Sequence, residues 1–266
     1  MSDRRAATPP RLTRISPLSF ALWVTLGAVL LVSMGDVAPS VTQLAEGIPG
    51  MFSLVDRMLP PNMEARFLER VALRIVETFQ IALVGAVIGI VLSFPIAWLA
   101  SRGVSPLGGG AFLFKALVSF LRTVPDLVWA LLFVVTVGLG AVAGTMTIIV
   151  DTIGFCGRFF AEAMEDADKE PQEALSAIGA GRVSILLGAI YPDAAPSMIN
   201  ASLFALEKAV RSSVVLGLVG AGGIGQELKV AFDLFQYQNA ATIILVIFII
   251  VLVMEYLTDR LRARVQ

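Results

Sequence analysis

The chain alternates between long apolar stretches and short polar ones, a pattern that predicts membrane-spanning helices. A bilayer core requires roughly 20 apolar residues per helix. Six stretches of this 266-residue chain approach that length. The predicted spans are 17–35, 78–100, 113–138, 142–163, 196–220 and 239–258. An even number of spans places both termini on the same side of the membrane.

The distribution of Lys and Arg predicts which side that is. Positive residues collect in cytoplasmic stretches near the ends of spans. With the N-terminus inside, most Lys and Arg residues of the connecting segments fall on the cytoplasmic side, including those of the basic tail 1–16. The apolar stretch 17–35 is too long for a signal-peptide core, so we interpret it as a retained first transmembrane helix. Both termini are therefore predicted to be cytoplasmic.

The remaining segments complete the predicted organisation. Segment 36–74 is external, is interrupted by prolines, and repeats Phe67, Val71 and Ile75 at helical spacing. This pattern predicts an amphipathic helix resting in the membrane interface, and docking of an external binding protein on its polar face is the alternative. The other predicted segments are a helical core at 75–258, which contains a cytoplasmic loop at 166–192, and a cytoplasmic tail at 259–266.

Composition supports a membrane protein and excludes several kinds of chemistry. Hydrophobic residues make up 57% of the chain, charged residues 15%, and the mean hydropathy is +0.83, well outside the range of soluble domains. There is no histidine and only one cysteine, so His-based catalysis and Cys/His metal sites are excluded. The net charge of −1 gives no reason to expect a nucleic-acid partner.

A glycine-rich run follows the fifth predicted span. Its Gly220-x-Gly222-x-x-Gly225 spacing formally matches the dinucleotide-binding fingerprint. That motif requires a preceding strand within a soluble βαβ unit, whereas this run follows a membrane helix. Glycines at a helix end permit close backbone packing. We therefore predict an outer gate, where two copies of the helix approach, formed by Gly217, Gly220, Gly222, Gly223 and Gly225.

Ionisable residues inside the spans are costly and usually have a partner or a function. Glu207 and Arg211 are four residues apart, and so are Arg122 and Asp126, so each pair can meet on one helix face. One interpretation is two structural ion pairs. The other is a substrate pathway in which the planar guanidinium of Arg211 meets a phosphonate or phosphate group. Asp151 has no evident partner, and we assign it only to an aqueous cavity.

The polar loop between the fourth and fifth spans is the most informative motif. Residues 173–192 read EALSAIGAGRVSILLGAIYP. A short helix ended by Gly179 could lie in a groove of a soluble partner, and an ordinary solvated loop is the alternative. The loop resembles the coupling loop of the membrane subunits of binding-protein-dependent ABC importers. The positions that form its frame are Glu173, Ala174, Leu175, Gly179 and Pro192, although leucine stands at 175 where alanine is usual.

Further blocks narrow the resemblance to the phosphonate-type permease of this importer family. They lie at 77–82, 122–131, 160–165 and 210–225. The chain departs from the family at Ala189, Tyr191, Asp193 and Glu255. The resemblance implies an all-α membrane protein with six transmembrane helices, in which a five-helix type I ABC importer permease core follows an N-terminal helix. It also implies alternating access in the bacterial inner membrane.

The resemblance further implies the partners. They are a second copy of this chain, a dimer of ATP-binding subunits that holds ATP and Mg, and a periplasmic or lipoprotein substrate-binding protein. The chain itself would be no enzyme and would hold no cofactor or metal. A secondary transporter is the main alternative, although no inverted repeat is evident. An intramembrane enzyme and a structural subunit are further alternatives. The substrate could be a phosphonate, phosphite, a phosphate ester or phosphate.

Overall fold

A computed structural model describes residues 16–38 and 40–264, and within these ranges the chain forms helices and no strands. The all-α prediction is confirmed. The arginines of the predicted basic tail lie outside the described residues. The helices are α1 Pro17–Val37, α2 Val41–Met58, α3 Ala65–Ala100, α4 Ala111–Thr123, α5 Asp126–Val137, α6 Ala141–Glu165, α7 Lys169–Ala177, α8 Arg182–Ile185, α9 Tyr191–Gly217, α10 Ile224–Asp233 and α11 Tyr237–Arg262.

Two compact units divide the chain, the first ending at Asp56 and the second beginning at Arg57. In the first unit, the Ser16 side chain caps α1 by accepting a hydrogen bond from the Ser19 N–H at 3.2 Å. Pro17 occupies the first turn of the helix, where its missing N–H costs nothing. Residues 17–35 are apolar enough to cross a membrane, as predicted.

In the second unit, α3 is longer than the predicted second span. Its 36 residues begin at Ala65, so residues 65–74 continue directly into the span. Phe67 and Val71 are buried in a cluster with Ile224 of α10 and Ile243 of α11. Part of the face that we predicted to rest in the interface is therefore covered by protein.

The third predicted span is a broken helix. α4 and α5 meet at an angle of 87°, so the prediction of one continuous helix over 113–138 is wrong. Pro125 lacks the N–H that would continue α4 and disfavours the helical conformation at the preceding residue. Val124 is accordingly extended, with ψ 122°, and the chain turns there.

The number of spans is consistent with the prediction. Four helices, α1, α3, α6 and α11, are long and apolar enough to cross a membrane alone, and the bent α4–α5 pair can form a fifth span. α9 occupies the remaining predicted span with 27 residues. It is more polar than the others because it carries Glu207, Lys208 and Arg211.

Two apolar clusters hold α3, α6 and α9 together. One contains Ile81, Ile148 and Leu216. The other contains Phe160 and Met198, together with Leu186 and Ile190 from the segment between α8 and α9. Asp151 of α6 and Glu207 and Lys208 of α9 fall between the residues of these two clusters. The core thus positions a polar layer near the middle of the bundle.

Candidate functional site

Glu207 is the central residue of the polar layer. Its Oε1 accepts a hydrogen bond from Arg211 Nη2 at 2.9 Å, within α9. Its Oε2 accepts from Arg262 Nη2 at 2.8 Å, at the end of α11. The Glu207 side chain is only 11% exposed, whereas Arg211 is 53% exposed. One nearly buried carboxylate is therefore shared by two guanidinium groups, and Arg262 was not among the residues predicted for the pathway.

Asp151 has a partner that the sequence analysis did not find. Its Oδ1 accepts from Lys208 Nζ at 2.7 Å, joining α6 to α9. The Lys208 ammonium also lies 5.6 Å from the centre of the Phe155 ring. Residues adjacent in a helix point about 100° apart, so Lys208 and Glu207 face different neighbouring helices. That periodicity is the signal that would have directed Lys208 towards another helix.

Arg122 and Asp126 do not form the predicted pair. The bend at Pro125 separates the end of α4 from the start of α5, so the four-residue helical spacing no longer applies. Asp126 instead accepts from Ser212 Oγ of α9 at 3.1 Å and from the Leu127 N–H at 2.9 Å. All three sets of contacts involve residues of α9, and we call the residues that make them the mid-bundle network: Asp126, Asp151, Glu207, Lys208, Arg211, Ser212 and Arg262.

A groove of about 630 Å³ lies beside this network, lined by residues of α6 and α9 that include Phe155, Asn200 and Phe204. The two aromatic rings stack with centres 5.3 Å apart. Arg262 lies over the Phe204 ring at 5.4 Å, as Lys208 lies over Phe155. The aromatic end of the groove therefore meets two cations of the network, whereas the carboxylates of Glu162 and Asp166 line another part of it.

The loop that resembles a coupling loop forms a compact hairpin. Asp168 caps α7 by accepting from the Glu170 N–H at 3.1 Å. At the other end, Gly179 has φ +81°, and the Ala180 N–H donates to Leu175 O at 3.0 Å. These contacts form a Schellman motif, so Gly179 ends the short helix as its position in the sequence predicts.

Two contacts hold the α7 hairpin against the rest of the protein, one at its base and one just after its turn. The Asp168 N–H donates to Asp193 Oδ2 at 2.8 Å, and Arg182 Nη1 donates to the Pro106 carbonyl at 2.7 Å. At the tip, Ile178, the residue directly after α7, is 79% exposed, and Glu173 of α7 is exposed. The hairpin also exposes the large apolar side chains of Val183 and Leu187, and several exposed apolar side chains in one segment are consistent with a surface that contacts another protein.

The glycine run forms a joint inside one chain. All of its residues from 220 to 225 are buried, and the Ile224 N–H donates to Thr78 Oγ1 of α3 at 2.8 Å. A Cβ at Gly225 would lie 1.9 Å from the Val214 carbonyl oxygen, so only glycine fits there. These contacts account for the glycines within one copy, and contact between two copies at an outer gate stays a prediction.

Comparison with known proteins gives consistent matches. Residues 89–266 match the family described as the binding-protein-dependent transport system inner membrane component. The chain is 34% identical to the putative phosphite transport system permease protein HtxC of Stutzerimonas stutzeri, over 91% of this chain and 86% of that protein. It is 36% identical to the phosphate-import permease protein PhnE of Mycolicibacterium smegmatis, over 83% of this chain but only 41% of that longer protein.

A solved structure shares the fold. The MetNI methionine ABC transporter, determined in inward-facing conformations, contains a chain that aligns with a TM-score of 0.65 and 25% identity. The alignment covers 77% of the present chain and all of the other.

Proposed function

We propose that this chain imports a small phosphorus oxyanion, because it belongs to the binding-protein-dependent transport system inner membrane component family and is a permease of the phosphonate type. The chain is the membrane subunit of an ABC importer and no enzyme, because ATP is hydrolysed by a separate subunit in this family. Family membership sets aside the secondary transporter and the intramembrane enzyme considered from sequence.

The mid-bundle network carries the proposal for the substrate. Arg211 is its most exposed cation, and its contact with Glu207 uses one of the five N–H donors of a guanidinium. The fork geometry of the remaining donors suits phosphonate, phosphite or phosphate oxygens. The names of the relatives, which specify phosphite in one case and phosphate in another, support this substrate class.

The pathway would run along the α6–α9 groove and through the mid-bundle network. Of the residues predicted for it, Glu207 and Arg211 are joined directly, and Asp126 is linked to the same helix through Ser212. Arg122 lies on α4, across the bend from Asp126, and its role in the pathway stays a prediction. A weak cationic site near mid-depth would bind the anion during transfer and still release it.

The α7 hairpin would be the contact with the ATP-binding subunits, through Glu173, Ala174 and Leu175 on α7. Gly179 and Pro192 would fix the hairpin ends. The exposed Ile178 and the anchored base support this proposal, since a partner that moves α7 would also move α6 and α9. The chain would act as a homodimer in the bacterial inner membrane with both termini cytoplasmic. A substrate-binding protein would deliver the anion to the outer side, near Gly217–Gly225.

The pathway is tested by reconstituting the permease with its ATP-binding subunit and binding protein in vesicles and measuring ATP-dependent uptake of phosphite, phosphate and a phosphonate. Arg211→Ala is expected to lower uptake by about tenfold or more, because the anion loses its charge-assisted contacts. Arg260→Ala is the matched control. Arg260 is an exposed arginine that donates to Tyr256 Oη, four residues earlier on its own helix, at 3.0 Å, and it belongs neither to the network nor to the lining of the groove.

Two outcomes separate the pathway from the broader proposal. Unchanged uptake by Arg211→Ala at equal expression would remove Arg211 from the pathway and leave the importer assignment intact. Wild-type uptake that is the same with and without ATP would contradict the proposed energy source.

A further inference from the structure

We infer that Arg262 is a positioning residue for the anion pathway, because it holds Glu207 in place while Arg211 exchanges Glu207 for the substrate anion. This inference rests on the proposed function. Arg262 belongs to the last turn of α11 and lies within segment 259–266, which was predicted to be a cytoplasmic tail.

The geometry permits both guanidinium contacts at once. Arg211 and Arg262 use different oxygens of Glu207, at 2.9 and 2.8 Å. Neither contact must break for the other to form. The carboxylate therefore remains paired when only one of the two guanidinium groups leaves.

The two arginines differ in how firmly they are held. Arg262 is 26% exposed, lies over the Phe204 ring and has a second carboxylate, Asp259, at 3.5 Å. Arg211 is about twice as exposed, and its side chain pairs with a residue of its own helix. Arg211 is thus the group that can turn to a ligand, and Arg262 is the group that stays.

The energetic reason is the low exposure of Glu207. A carboxylate that is almost buried and loses its only cation is strongly disfavoured. With Arg211 as the sole partner, every anion that captured Arg211 would leave Glu207 uncompensated. Arg262 removes that penalty, so it raises the affinity of Arg211 for the anion without contacting the anion itself.

A merely structural role for Arg262, fastening α11 to α9, predicts different behaviour. Under that role, loss of either partner of the Arg262–Glu207 pair breaks the same fastening. Neutralising Glu207 could not then repair the loss of Arg262. Under the positioning role it could, because a neutral side chain at 207 no longer needs a cation when Arg211 leaves.

The test uses the complete permease–ATPase complex in vesicles with its binding protein, and measures uptake of phosphite, phosphate and a phosphonate. Arg262→Gln is expected to lower uptake by about tenfold. Adding Glu207→Gln to that variant is expected to raise uptake severalfold above that of Arg262→Gln alone, the non-additivity of a coupled pair. Arg262→Lys, which keeps the charge, is expected to retain most of the activity. Thermal unfolding of each purified complex checks that the variants fold.

Each outcome decides the question. A folded double variant that transports no better than Arg262→Gln would overturn the positioning role, and so would full activity of Arg262→Gln alone. Wild-type vesicles that accumulate none of the three anions would overturn the proposed function, and this inference with it.

Discussion

The α7 hairpin and the mid-bundle network are both polar regions in an apolar chain, yet they are built in opposite ways. The hairpin is defined by neighbours in sequence: Asp168 begins its helix and Gly179 ends it. The network joins residues far apart in sequence, as in the Asp151–Lys208 and Glu207–Arg262 pairs. Local contacts can keep their form while the whole region moves, whereas contacts between helices depend on how the helices are placed against one another.

This difference suits the two proposed roles. A region that the ATP-binding subunits move must transmit that movement to the membrane helices. The α7 hairpin is suited to this role because it is joined to α9 through Asp193 and to the loop between α3 and α4 through Arg182. A region that binds and releases an anion must offer partners that can exchange. Glu207, with two guanidinium groups, has such a choice.

The largest effect is expected from a variant that disrupts the proposed contact between the α7 hairpin and the ATP-binding subunits and does not alter the mid-bundle network. Ile178→Asp puts a charge on the most exposed large apolar side chain of the hairpin, directly after α7, and a hot-spot contact at the centre of an interface is worth about 2 kcal/mol or more. Uptake should fall by at least about thirtyfold, while the ATP-binding subunits should separate from the permease during purification. Ile178→Val is the conservative control and should retain both. Co-purification of Ile178→Asp with the ATPase at the wild-type ratio would move the interface elsewhere.

An intermediate effect is expected from the network. Asp151→Asn leaves Lys208 without its carboxylate, and we expect a loss of about 2 kcal/mol in stability, below the range for fully buried pairs because Lys208 is partly exposed. Thermal unfolding of the purified complex measures this loss. Asp166→Asn, which changes an exposed carboxylate at the end of α6, is the control.

A second variant sharpens the same measurement. Asp151→Asn combined with Lys208→Gln should recover much of the lost stability, since the uncompensated charge is removed together with its partner. If the double variant is less stable than Asp151→Asn alone, the pair is not what stabilises the α6–α9 contact.

The smallest expected effect lies within the hairpin. Gly179→Ala forces a side chain into the left-handed region, at a cost of about 1 kcal/mol. Gly181→Ala is a close control, because Gly181 has φ −71° and open space around its Cβ position. Uptake should fall severalfold for Gly179→Ala and hardly change for Gly181→Ala. Equal behaviour of the two variants would mean that the end of α7 does not need its present form.

The sequence was most informative where the determinants are short-range. The spans predicted at 17–35 and 142–163 correspond closely to α1 and α6, because an apolar stretch in lipid must satisfy its own backbone hydrogen bonds by forming a helix. Gly179 could likewise be assigned as a helix end, because glycine is the residue that most often adopts the left-handed conformation just after a helix.

Sequence spacing was misleading where a break intervened. Arg122 and Asp126 have the spacing of a helical pair, but Pro125 lies between them and the chain turns by 87°. The proline was visible in the sequence, and its effect on the preceding residue could have warned against the pair. The direction in which α5 then leaves could not be read from it.

By itself, the sequence determined that this chain is a helical membrane protein and approximately where its helices lie. It also determined which loop contains a short helix that ends at a glycine. These features depend on backbone hydrogen bonding and on residues a few positions apart. Only the tertiary structure decided that Asp151 pairs with Lys208, that Arg262 joins Arg211 on Glu207, and that the glycine run packs on Thr78. Those contacts depend on how α3, α6, α9 and α11 are rotated and shifted against one another. Helix rotation and register are set by the packing of all the helices together.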